Sequence, residues 1–223
     1  MSEGTRLIDL GRMRFGPALD LQHRLHAARA SDEIPDTWLL VEHEPVITLG
    51  RNADLANLLM PRPLLERRGV DVFEIERGGD VTYHGPGQLV VYPIRKLARF
   101  REIVPLVRSL EEAIIRALTS FGVVGERWRE HAGVWVGSDQ ICAVGLAVQR
   151  MVSLHGIALN VSTDLSYPQL INPCGLPDRG VTSISRETGR TVSLEEAKAA
   201  LLPALERTFH VRFQPQSAKS IEL

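Results

Sequence analysis

Apolar positions along the chain follow two rhythms, one at spacings of three and four and one that alternates or runs unbroken. Residues 15–29 follow the first, with Leu19, Leu21, Leu25 and Ala28 roughly on one side and Pro17 suited to a first helical turn. Residues 105–121 give the clearest helix: Leu106, Leu110, Ala113, Ile114 and Ala117 recur at three and four, and Gly122 stands just past the end. Ser193-Leu194-Glu195-Glu196 has the spacing of a capping box and opens a helix to about Thr208, with Pro203 placed to kink or divide it. A short helix is expected at 64–68, ended by Gly69.

The second rhythm predicts strands at 7–11, 38–42, 46–49, 70–76, 89–94, 153–161 and 211–213. Residues 132–136 and 140–148 read as a hairpin turned through Gly137-Ser138-Asp139. Along its second strand, Ile141, Ala143, Gly145 and Ala147 share one face, and Cys142, Val144, Leu146 and Val148 the other. Small residues on one face leave room for a neighbouring backbone or a ligand. Strands dominate the middle and helices interrupt without strict alternation, so the class is α+β, expected as one domain over residues 1–223.

Between the strands at 70–76 and 89–94 lies Arg77-Gly78-Gly79-Asp80-Val81-Thr82-Tyr83-His84-Gly85-Pro86-Gly87-Gln88. It reads as a loop. A plain turn needs one or two residues able to take positive φ, and this stretch carries four glycines, which also let a bound group approach the backbone.

Composition adds little beyond an ordinary globular protein, at 44% hydrophobic and 24% charged residues. The net charge of −1 gives no basis for bulk binding to nucleic acid or an anionic membrane. No signal-peptide pattern is visible in residues 1–14, no run approaches a membrane span, and Cys142 and Cys174 make no disulfide framework. The expected compartment is a reducing cytoplasm.

Cys174 sits in Asn172-Pro173-Cys174-Gly175, where proline and glycine define a tight bend. Local sequence leaves two readings, a structural cysteine of the loop and a nucleophile. A nucleophilic thiol needs a base or cation beside it, because a free thiol with pKa about 8.5 is mostly protonated at neutral pH. His84 and His155, each followed by glycine, are the candidates that local sequence offers, and Cys142, between Ile141 and Ala143 in a strand, reads as core. His84, His155, Cys174 and Asp164 lack metal-site spacing. The glycine-rich stretch is neither a P-loop nor a dinucleotide fingerprint, and a G-x-S-x-G elbow is absent.

Four segments together resemble the signature of the lipoyl(octanoyl) transferases, of the biotin/lipoate protein ligase-like superfamily. They are Arg77 to Gln88, Cys142-Ala143-Val144-Gly145, His155-Gly156-Ile157-Ala158-Leu159-Asn160 and Asn172-Pro173-Cys174-Gly175. Glu42-His43-Glu44-Pro45-Val46-Ile47-Thr48-Leu49-Gly50-Arg51 is similar to a further family segment. The resemblance implies a mostly antiparallel sheet with flanking helices and a transfer of octanoate from octanoyl-acyl carrier protein to a lysine of a lipoyl domain. The acceptors would be 2-oxoacid dehydrogenases or the glycine cleavage H protein. No cofactor, metal, nucleic acid or membrane is expected. By position it makes Cys174 the thioester-forming nucleophile. Arg77, Gly78, Gly79, Asp80, Val81, Thr82, Tyr83 and His84, with Ala143, Val144, Gly145, Gly156, Ile157 and Ala158, would line the acyl site.

One matching position departs from the pattern. The family has an activating lysine where this chain has Gln140, and its three lysines, Lys96, Lys198 and Lys219, lie far off in sequence. Glutamine can neither stabilise a thiolate by charge nor carry a proton. Three readings follow: an engineered or incidental replacement in a working transferase, a natural one with His155 or His84 as the base, or an acyl-binding paralogue with weak turnover. An ATP-dependent lipoate ligase of the same fold is the rival enzyme. Arg95, Lys96, Arg99 and Arg101 form the densest basic run and suit an acidic carrier protein or a plain solvated turn.

Overall fold

The computed structural model describes residues 4–129, 131–172 and 179–218. In chain order the elements are β1 (Thr5–Met13), α1 (Phe15–Ala30), β2 (Thr37–His43), β3 (Val46–Leu49), α2 (Arg62–Arg67), β4 (Asp71–Glu74), β5 (Val81–His84) and β6 (Gln88–Ile94). They continue with α3 (Ile103–Thr119), β7 (Glu126–Arg127), β8 (Gly133–Val136), β9 (Asp139–Gln149), β10 (Val152–Asn160), α4 (Ile184–Thr188), α5 (Leu194–Phe209) and β11 (Phe213–Gln216).

Among the described residues there are two sheets, a large one ordered β11-β1-β2-β6-β10-β9-β8-β7 and a small one ordered β4-β3-β5. β1 runs parallel to β11 and β2, and the other pairs of the large sheet are antiparallel, as the α+β reading expects. The central strand β6 is apolar at successive positions because both of its faces are covered. Leu89 and Val91 pack towards Leu110 and Ile114 of α3 and Leu201 of α5. Val90, Tyr92 and Ile94 pack with Leu21 and Leu25 of α1. A third core, built on Ile47, Leu49, Val72 and Leu65, fills the small sheet and α2.

The capping box of α5 is present: Ser193 N donates to Glu196 Oε2 at 2.8 Å and Glu196 N to Ser193 Oγ at 3.2 Å. Pro203 does not divide this helix, which is held on both sides of the proline by buried Leu201 and Leu205.

Several elements differ from the sequence expectation. β5 lies inside the supposed glycine-rich loop, pairing Leu49 with Val81 and Val46 with His84. Val81-Thr82-Tyr83-His84 alternates as a strand should, but flanking glycines obscure the signal. β1 is longer than 7–11 because Gly11, at φ 63°, carries a register shift that lets pairing resume at Arg12. A bulge also interrupts the β8–β9 ladder, where Val134 pairs with Cys142 but Trp135 with Gln140. Ile141 accordingly joins Cys142 in the core beneath α3 instead of sharing a face with Ala143.

Candidate active site

The face of the large sheet that packs on α1 is left open at Ala143, Gly145, Gly156 and Ala158, residues too small to fill it. Residues 77–80 and β5 cross above this strip and enclose a cavity of about 530 Å³ of empty space, its open mouth included. The small-residue face of β9 thus receives a neighbouring backbone. A Cβ on Gly145 would stand 3.0 Å from Arg77 Cδ and 3.4 Å from the Gly78 carbonyl. Gly78 N donates to the Leu146 carbonyl at 2.9 Å, and Gly79, at φ 88°, takes a turn that suits glycine.

The loop is also anchored from the side. Gly50 N donates to the Asp80 carbonyl at 3.1 Å and Arg51 N to the Arg77 carbonyl at 3.0 Å. Arg77 is buried, and its Nη2 donates to the Thr48 carbonyl at 2.7 Å and to Thr48 Oγ1 at 2.9 Å. Its Nη1 donates to the Gly78 carbonyl at 3.0 Å, so the planar guanidinium ties Thr48 to the loop through two separate nitrogens.

The residues expected to line an acyl site do line this cavity, except Val81 and Tyr83. Those two alternate to the other side of β5, into the core of the small sheet. They border a second cavity of about 390 Å³, which adjoins the first and shares Thr82, Gln140, Ala143 and Ala158 with it.

Gln140 is buried and stands where the two cavities meet. Its side chain lies over Gly133, where a Cβ would come within 2.8 Å of Nε2. Gly133 is itself held by Glu111, a fully buried carboxylate that accepts from Gly133 N at 3.0 Å and pairs with Arg108 and Arg127. Cys174 lies outside the described residues, which resume on both sides of 173–178. On one side Asn172 N donates to the Asn57 carbonyl at 2.8 Å, and on the other Gln140 N donates to the Gly180 carbonyl at 3.0 Å. Asn57 Nδ2 reaches Asp80 Oδ2 at 2.5 Å. Sequence reading missed Asn57 and gave Thr48 no role of its own within the 42–51 segment, because nothing local marks residues that tie distant segments together.

His84 is also buried. Its Nδ1–H donates to Gln88 Oε1 at 2.8 Å, since the Gln88 amide nitrogen is already donated to Tyr83 and Asn160. Burial, reinforced by His43, pushes His84 down to about 3, so it is neutral and a poor proton acceptor near pH 7. His43 is pushed down to about 4, again by burial, and its Nε2 accepts from the Tyr92 hydroxyl at 2.7 Å. Cys142 is wholly buried, and desolvation raises its thiol, consistent with core and not chemistry.

His155 does not stand at the Gln140 end. It pairs with Leu146, six residues along β9 from Gln140, roughly 20 Å of strand. His155 belongs to the end of the cavity away from Gln140. In the basic run, Lys96 pairs with Asp32, and Arg95 stacks on Phe209 and faces Asp36 at 3.8 Å. Arg99 and Arg101 remain exposed beside an exposed Phe100. Among the described residues no group of three or more His, Cys, Asp or Glu side chains could hold a metal ion, and no helix is long and apolar enough to cross a membrane.

Residues 16–206 match the family model of the lipoyl protein ligase A/B catalytic domain. The chain belongs to this family. Within it, the chain is 47% identical over 217 residues to an octanoyltransferase of Syntrophobacter fumaroxidans, covering 97% of this chain and 95% of that one. It is 49% identical over 190 residues to an octanoyltransferase of Caldicellulosiruptor bescii, covering 84% and 83%. A bi-partite lipoate protein ligase of Thermoplasma acidophilum superposes with a TM-score of 0.75 at 18% identity, over 99% of this chain and 89% of that one. A biotin protein ligase of Aquifex aeolicus does so at 0.55 and 14%, over 94% and 70%. These two likenesses establish the lipoate/biotin ligase fold, with its large sheet and flanking helices.

Proposed function

We infer that the chain is an octanoyltransferase that takes an octanoyl group from a carrier-protein thioester and delivers it to a lysine of a lipoyl domain. The observation that carries this reading is the 41–49% identity to curated octanoyltransferases over at least 84% of the chain. The cavity supports it, because it is mostly apolar and lined along β9 and β10 by glycine and alanine, which leave room for an acyl chain.

The proposed nucleophile is Cys174. Its thiolate attacks the carbonyl of the donor thioester, the carrier's thiolate leaves and takes up a proton, and the octanoyl group stays on sulfur. The acceptor amine then attacks that carbonyl, the cysteine sulfur leaves, and the amine gives up a proton as the amide forms. The carrier proteins and lipoyl domains of 2-oxoacid dehydrogenases or the glycine cleavage H protein are the proposed partners. Gln140 cannot shuttle the proton, but its amide N–H can donate to the carbonyl oxygen as charge builds there. Slow turnover is the expected consequence, because a positioned proton-transfer group is worth about 10²–10⁴-fold.

Intact-protein mass spectrometry with octanoyl-acyl carrier protein tests the reading. Octanoate carried on Cys174 and passed on to a lipoyl domain without ATP supports it. Transfer that requires ATP and free octanoate would assign the chain to the ligases, and retention of octanoate with neither adduct nor transfer would make it a binding protein.

A further inference from the structure

We propose that His155 is the floor of the acyl cavity and sets the length of chain the site accepts; this rests on the octanoyltransferase reading above. β10 alternates on either side of this residue: Leu154 and Ala158 pack on the α1 side, and Ile157 and Leu159 beneath α3. A regular strand would send His155 beneath α3. It instead has φ 60°, a left-handed conformation rare for a residue with a side chain, in the interior of a strand. The consequence is that the ring faces Glu76, Tyr92 and the cavity. Gln22 of α1 fixes this backbone, accepting from His155 N at 3.0 Å.

The imidazole stands at the end of the cavity away from Gln140, since His155 pairs with Leu146, six residues along β9 from Gln140. What lies beyond is polar and thin. Glu76 Oε2 stands 3.4 Å from His155 Nε2, and Glu76 Oε1 is 2.9 Å from Nε2 of His23, which is half-exposed to solvent. A longer tail would have to displace the ring from the carboxylate and enter that polar cluster, where a hydrocarbon strips hydration without replacing it.

His155→Gly tests the proposal, since glycine keeps φ near 60° without strain and opens the cavity towards Glu76. Wild type and variant would be compared on hexanoyl-, octanoyl-, decanoyl- and dodecanoyl-carrier protein. At about fourfold per methylene buried, the decanoyl-to-octanoyl ratio of kcat/KM should rise about fifteenfold in the variant. In parallel, free decanoate should raise the Tm of the variant more than octanoate does, a readout independent of transfer. If the glycine variant does not fold, His155→Asn, which tolerates positive φ, should give a smaller shift in the same direction. A variant that is slowed equally on every chain length, with unchanged Tm preference, overturns the floor. Failure of the underlying reading looks different, because the unmodified chain would then transfer no octanoyl group.

Discussion

The backbone carbonyl of Asn57 accepts from Asn172 N at 2.8 Å while its side-chain amide donates to Asp80 at 2.5 Å. The glycine-rich stretch is thereby joined, through one residue, to the chain two positions before Cys174. Asp80 Oδ1 also accepts from Asp54 N at 3.0 Å, so its carboxylate holds the whole 54–57 turn. Asp80→Ala should slow octanoyl loading at least tenfold while costing about 1–3 kcal/mol of global stability. Single-turnover loading and urea unfolding measure the two effects. Loading at the wild-type rate would mean that this tie does not position the segment of the proposed nucleophile.

Gln140→Lys should raise the rate of octanoyl transfer by about 10²-fold and lower the pKa of the reactive thiol, because a nearby ammonium favours thiolate and its neutral form accepts a proton. The site has room for only a modest lengthening, as Gln140 already lies against Gly133. Thiol reactivity towards an alkylating agent across pH reports the shift. An unchanged rate and an unchanged thiol titration would show that glutamine is not the deficiency.

Two glycines that face one another across β9 and β10 should respond differently to alanine. A Cβ on Gly156 would fall 2.0 Å from the Val91 carbonyl, backbone that cannot yield, so Gly156→Ala should cost more than about 3 kcal/mol or prevent folding. Gly145→Ala meets Arg77 Cδ at 3.0 Å, a side chain with some freedom, and should fold while binding octanoate at least fivefold more weakly. Thermal unfolding and octanoate titration separate the two; equal losses of stability would contradict the contact geometry.

The sequence made the helices and the β6 strand legible because those are local periodicities. It also marked the wall of the cavity, since Gly145, Gly156 and the 77–80 stretch are unusual where they stand. It hid what depends on folding. The alternation in β5 was masked by flanking glycines, and the bulge that moves Ile141 depends on the β8 ladder. The distance of His155 from Gln140 follows from strand register, which a one-dimensional reading of His155-Gly156 beside the other motifs does not contain.

Arg99 and Arg101 are the free half of the basic run, because Lys96 is engaged by Asp32 and Arg95 faces Asp36 across a long pair. An acidic carrier protein would be steered by exposed charges more than by paired ones. Reversing both to glutamate should raise the KM for octanoyl-carrier protein about three- to tenfold at low salt, with the difference shrinking as salt rises. A KM indifferent to both substitutions would remove this surface from docking.

Stability should fall between pH 7 and pH 5, before most carboxylates titrate. His43 and His84, pushed down by burial to about 4 and about 3 from 6.5, bind fewer protons in the folded chain than in the unfolded one across this interval. The unfolded state therefore gains as pH drops: stability is full above about 6.5 and declines as pH falls towards the folded values. Each histidine contributes roughly 2 kcal/mol of loss by pH 5, so the pair should cost about 3–4 kcal/mol. Urea midpoints at the two pH values measure it, and His43→Gln, which keeps a partner for Tyr92 but does not titrate, should remove about half of the slope. A midpoint that stays constant from pH 7 to pH 5 would mean that these rings reach water and protonate in the folded state.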